Sequence, residues 1–104
     1  MVKRVFISQP MRDKSEAEIK EVREKCMDVA RDILGADEEV IEIPKFDPIK
    51  LRGLRPARCL GMSIELMSDA DLVIFAPGWQ YARGCRIEHR VCKDYGISYR
   101  EIEG

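Results

Sequence analysis

The chain has 104 residues, 45% apolar and 36% charged, with eighteen basic side chains against nineteen acidic ones and a formal net charge of −1. That length supports one core and one domain, 1–104, and not two. The even charge gives no general case for nucleic-acid or membrane binding, and no apolar run approaches the roughly 20 residues of a membrane span.

Residues 2–7, Val-Lys-Arg-Val-Phe-Ile, have the β-branched and aromatic content of a first strand. A polar loop, Ser8–Asp13, broken by Pro10, follows it. Ser15 with Glu18 three residues on is a capping-box signature. Ile19, Val22, Cys26, Val29, Ala30, Ile33 and Leu34 then recur at helical spacing, and Gly35 gives a stop, so a helix is predicted over 15–34. Glu39–Ile43 reads as a second strand ended by Pro44. Residues 44–60, with Pro48, Pro56, Gly53 and several basic residues, read as a long loop with room for a helical turn, of the kind that forms lids or binding segments.

Cys59–Met67 predicts a short second helix, and Asp69–Phe75 a strand apolar enough to be covered on both faces. Next comes Ala76-Pro-Gly-Trp-Gln-Tyr-Ala-Arg-Gly-Cys-Arg-Ile-Glu88-His89, a loop marked by Gly and Pro that is expected to deliver Glu88 into the first turn of a helix. Ile87, Val91 and Tyr95 mark that third helix, and Gly96–Ile102 a last strand. Strands alternating with helices imply right-handed crossovers, a three-layer α/β domain and a four-stranded, mostly parallel sheet of order 2-1-3-4. Ligands bind at the carboxyl ends of such strands, at the switch point of the order. The Ser8–Asp13 and Ala76–Gly84 loops would share that crevice.

The cysteines, Cys26, Cys59, Cys85 and Cys92, are widely spaced with no C-x-x-C pair, and His89 is the only histidine. Neither a metal site nor a cofactor is expected, and reduced thiols in a cytoplasmic protein fit the pattern. Glu88 is the candidate reactive carboxylate, against the alternative of a helix-end charge favoured by the macrodipole. Asp71 is a candidate sugar contact or general acid, or else a structural hydrogen-bonding group. Arg12, Arg83 and Arg86 are candidates for a phosphate, helped by a helix N-terminus, or for solvent. Trp79 would stack on a nucleobase or pack on protein, and Gln9 would read a base edge or bond within its loop. His89, about 100° further round the helix, is placed behind the site as a supporting residue or on the surface.

Three segments also carry a resemblance: Val5-Phe-Ile-Ser-Gln-Pro-Met-Arg12, Met67-Ser-Asp-Ala-Asp-Leu-Val-Ile-Phe-Ala-Pro-Gly-Trp79, and Ala82-Arg-Gly-Cys-Arg-Ile-Glu-His89 running on to Lys93-Asp-Tyr-Gly-Ile97. They resemble the nucleoside 2-deoxyribosyltransferase-like superfamily, in particular a small bacterial and phage branch of DUF4406-like domains. The resemblance implies a flavodoxin-like fold and cleavage or exchange of an N-glycosidic bond, with Glu88 as nucleophile at C1′ and Asp71 beside it. It also maps the loop after the first strand onto Ser8, Gln9, Pro10, Met11 and Arg12. With Trp79, Arg83, Gly84 and Arg86, read from the residues themselves, these would form the nucleoside or nucleotide site. A domain this small with one open crevice is expected to form a homodimer or higher homo-oligomer. The acidic residue that the transferases carry about six positions before the nucleophile is Ala82 here, followed by Arg83. That exchange favours a phosphorylated substrate over a free nucleoside. The alternatives on the same fold are a non-catalytic nucleotide or ADP-ribose-type binding module and a protein-interaction domain.

Overall fold

The computed structural model describes residues 1–44 and 52–103. In chain order the elements are β1 (Val2–Ser8), α1 (Glu16–Leu34), β2 (Glu39–Glu42), α2 (Pro56–Met67), β3 (Leu72–Phe75), a 3₁₀ turn (Trp79–Tyr81), α3 (Arg83–Tyr95) and β4 (Tyr99–Glu101). The four strands form one sheet of order β2-β1-β3-β4, and every pairing is parallel. This is the flavodoxin-like three-layer arrangement expected from the alternation of strands and helices.

The layers follow from the period of two along each strand. Val5 and Ile7 of β1, with Leu72 and Ile74 of β3, pack on Cys26, Met27 and Ala30 of α1. Phe6, Val73 and Phe75 face the other way, onto Met67 of α2 and Cys92 of α3. All four residues of β3 are buried, as a central strand covered on both faces requires. No helix among the described residues is long and apolar enough to cross a membrane.

Local chemistry sets the boundaries. Ser15 Oγ accepts the Glu18 N–H and Glu18 Oε1 accepts the Ser15 N–H, so both halves of the capping box are made. These hydrogen bonds with Ser15 hold the Glu18 carboxyl below its usual range. Gly35 ends α1 at φ 98°, its N–H donating to the Arg31 carbonyl. α2 starts at Pro56, three residues ahead of the Cys59 expected from the pattern. Proline at the first helical position sacrifices no helical N–H, so what reads as a loop breaker opens the helix. The remainder of the loop expected over 44–60 is described only at 44 and 52–55; 45–51 lie outside the described residues.

Three strands are shorter than expected, β2 by Ile43 alone. The Asp69–Asp71 segment leaves α2 in a turn, with Ala70 N–H bonded to the Met67 carbonyl, so β3 begins at Leu72. Gly96 caps α3 in the left-handed region at φ 70°, and β4 is therefore confined to Tyr99–Glu101.

Candidate active site

Ser8, Gln9 and Glu88 are the only buried polar or charged side chains among the described residues, 2%, 6% and 7% exposed. All three belong to one place. Ser8 is the last residue of β1 and pairs in register with Phe75, the last residue of β3. The chain leaves both strands there, and Ala76 N–H bonds the Ser8 carbonyl at 2.9 Å as the two loops start. This is the switch point of the sheet, because β1 connects through α1 to β2 on one side while β3 lies on the other.

Ser8 Oγ donates a 2.7 Å hydrogen bond to Glu88 Oε1, joining residues 80 apart in sequence. Glu88 is the sixth residue of α3, so it occupies the second helical turn and not the first. The helix opens at Arg83 directly after the 3₁₀ turn, earlier than the apolar spacing of Ile87, Val91 and Tyr95 indicates. Cys85, Glu88 and Cys92 are the three buried residues of α3 and lie on one stripe at i, i+3 and i+7. The macrodipole therefore does not account for Glu88: it takes a core position on the face turned to the sheet.

Two chambers adjoin at this point. The apolar one, about 510 Å³, is bounded by Phe6 and Ile7 of β1, by Leu60 and Leu66 of α2, and by Ser8 and Glu88. The other, about 750 Å³, is lined by Arg12, Lys14, Arg83 and Arg86 together with Asp13 and Glu18. Gln9, Pro10, Met11, Ala82 and Gly84 border both. Thus the two expected loops do converge, and they form the partition of a divided crevice.

The cationic chamber lies at the head of α3. The N-cap Ala82 makes no side-chain capping bond, and the first turn holds no acidic residue. A helix start of this kind favours an anion. Arg86 Nη1 donates to the Gln80 carbonyl at 3.2 Å. Arg12 and Arg83 make no ion pair or side-chain hydrogen bond among the described residues. Gln9 Nε2 donates to the Ile19 carbonyl at 3.1 Å, which fixes its amide, and the buried Gln9 Oε1 has no partner among the described residues.

Two candidates fall elsewhere. Asp71 is exposed and accepts the Arg4 N–H at 2.7 Å before β3 begins. β3 runs four residues from there to the crevice, roughly 13 Å. Its carboxylate therefore serves the amino end of the sheet, opposite Glu88, as the structural hydrogen bond that was the alternative reading. Trp79 borders neither chamber. Its ring stacks on His89 with centroids 4.0 Å apart and planes at 12°, and it also meets Phe75 at 5.6 Å. His89 is accordingly no surface residue, for Nε2 lies 2.6 Å from Glu101 Oε2 and the imidazole meets Phe75 and Tyr99 edge-on. This cluster braces the 3₁₀ turn that ends in Tyr81 and leads through Ala82 into Arg83 at the start of α3. Gly78 permits the turn with φ 85°, a left-handed conformation.

The sequence reading missed Lys14, Tyr81 and the α2 face that closes the apolar chamber. Tyr81 lies inside the 76–89 motif, and an aromatic residue in a polar loop was the available signal. Among the described residues no three His, Cys, Asp or Glu side chains come together as a metal set.

Cys92, 1% exposed, reports on the same carboxylate. Burial, and less strongly the charge of Glu88, push its thiol from an ordinary 9.0 up to about 11. A thiol raised in the folded state supports folding below the unfolded value, and that support is lost as pH climbs through the folded one. Between pH 9.0 and about 11 the native protein should lose on the order of 2 kcal/mol more stability than Cys92→Ala does. Urea unfolding of both proteins across that window measures it. Parallel pH profiles would contradict it.

The chain matches the model of one family, described as a domain of unknown function (DUF4406), over residues 3–99. No curated protein and no solved structure matches it.

Proposed function

The chain belongs to the DUF4406 family, and we propose that it breaks the N-glycosidic bond of a (deoxy)nucleoside 5′-monophosphate or related nucleotide, by hydrolysis or by transfer to an acceptor base. The buried Ser8–Glu88 pair, in an apolar chamber that adjoins a cationic one, carries this proposal. A carboxylate oxygen of Glu88 bonds to C1′ as the C1′–N bond breaks, and the base departs with that electron pair. Water or a second base then attacks C1′ and releases Glu88. The Ser8 hydroxyl, donating to the carboxylate, fixes its direction.

The base would occupy the apolar chamber, and the phosphate would lie against Arg12, Arg83 and Arg86 at the head of α3. Asp71 has no part in the chemistry. Glu88 is the only carboxylate lining the apolar chamber among the described residues, so the leaving base takes its proton from water. The setting is the cytoplasm, where nucleotides are handled and thiols stay reduced. That no second acid lines the apolar chamber among the described residues favours one other reading, a nucleotide-binding module without turnover.

A base-release assay over nucleosides and their 5′-monophosphates tests the proposal. Ligand-induced thermal stabilisation without turnover would select the binding module. Arg83→Ala should raise KM for monophosphates roughly tenfold to a hundredfold, the weight of a charge-assisted hydrogen bond, and leave free nucleosides within about twofold. Equal effects on the two substrate sets would reject the phosphate contact.

A further inference from the structure

The cationic chamber, about 750 Å³, is the larger of the two, and the apolar one measures about 510 Å³. Either volume suits a whole small ligand, for which clefts run to about 300–1,000 Å³. A single phosphate bound at the head of α3 would leave most of the cationic chamber empty. Three features of that chamber are also more than a phosphate uses.

Tyr81 stands on its lining with 89% of its surface exposed. The turn beneath it is held by Tyr81 N–H on the Gly78 carbonyl at 3.0 Å and by Trp79 stacked on His89. A large ring kept in solvent on a braced turn is a stacking platform, and any base has a face to offer it. Arg12 comes from the loop after β1 and Arg83 opens α3; neither has an ion pair among the described residues, and they are joined by Lys14 and Arg86. Among the described lining residues those four cations face only Asp13 and Glu18, a surplus that suits an anion held between the β1 loop and the head of α3. Finally, Gln9, nine-tenths buried where the chambers meet, keeps an acceptor oxygen unpaired among the described residues. An orphaned acceptor there favours a ligand with a hydroxyl at its middle.

We propose that the ligand is a pyrophosphate-linked dinucleotide. One nucleoside enters the apolar chamber against Glu88, and the pyrophosphate lies between Arg12 and Arg83. The second nucleoside occupies the cationic chamber, with its base over Tyr81. The assignment rests on the nucleotide-site reading given above and names the larger substrate class of that site.

Calorimetric titration of the full chain carrying Glu88→Gln, which leaves the probes intact, compares AMP, inorganic pyrophosphate and diadenosine diphosphate. The dinucleotide should bind at least about tenfold more tightly than AMP, the weight of one base–aromatic stack. Adding Tyr81→Ala should erase that advantage and leave AMP within about twofold, since an exposed ring contributes little to the fold. AMP binding as tightly as the dinucleotide would overturn the dinucleotide and leave the nucleotide site standing. Tyr81→Ala weakening both ligands alike would likewise overturn it. Binding of pyrophosphate alone, or of none of the three, would overturn both readings.

Discussion

Glu88→Gln should lower base release from 5′-monophosphates by about a thousandfold or more, as loss of a nucleophile does. The replacement is nearly isosteric, and its amide oxygen still accepts the 2.7 Å hydrogen bond from Ser8. In the proposed reaction, what disappears is the negative charge that would meet the developing oxocarbenium ion and the oxygen that would bond to C1′. The fold should not suffer, because an amide in a site 7% exposed is easier to desolvate than a carboxylate. Thermal unfolding should therefore give a midpoint equal to or above that of the wild type. Liquid chromatography of the released base provides the activity measurement. Undiminished release in a folded variant would remove Glu88 from the chemistry.

The largest effect on stability is expected at Phe75. The side chain is 0% exposed at the carboxyl end of β3, and its ring meets Trp79, His89 and Tyr99 with centroids 4.9–5.8 Å away. Phe75→Ala should cost about 3–5 kcal/mol through lost transfer energy and the cavity left behind. A domain of this size has only about 5–15 kcal/mol in total. With roughly 4–8 °C per kcal/mol, the midpoint should fall by tens of degrees. Phe75 also links the aromatic cluster to the strand end that pairs with Ser8, so the crevice should loosen together with the core. A decrease of less than about 5 °C in differential scanning calorimetry would show that the ring is not the keystone of the layer between the sheet and α3.

The sheet order was legible because four apolar runs alternate with helical patterns, and handedness leaves few ways to connect them. The convergence of Ser8–Asp13 with Ala76–Gly84 followed from that order alone. The start of α2 was not legible, because Pro56 satisfies both a loop and a first helical turn and only tertiary packing decides between them. Glu88 drew notice as a charge near a helix start, whereas its burial comes from the Cys85–Glu88–Cys92 stripe facing β1. A charged residue in the middle of an apolar stripe is easily read as an interruption. Asp71 was misplaced because sequence proximity to β3 does not say which end of the strand a side chain serves. Trp79 and His89 find each other across a 3₁₀ turn, and no helical or strand period encodes such a contact. The division of the crevice into two chambers depends on side chains from β1, α2 and α3 together, and for that reason no single motif announces it.

The central position of β1 fixes when the crevice can exist. Its neighbours β2 and β3 are both parallel to it, so each pairing must wait for a helical crossover, and Val5 reaches Leu72 across 67 positions. Closing loops of that length costs entropy before any contact rewards it, which makes such pairings slow to form. On a ribosome adding about 5–20 residues per second, Ser8 emerges several seconds before Glu88. Until β1 and β3 pair and α3 docks, the carboxylate is hydrated and has no preferred direction. The buried Ser8–Glu88 pair is then acquired at a late step of folding, and a chain caught halfway has no crevice.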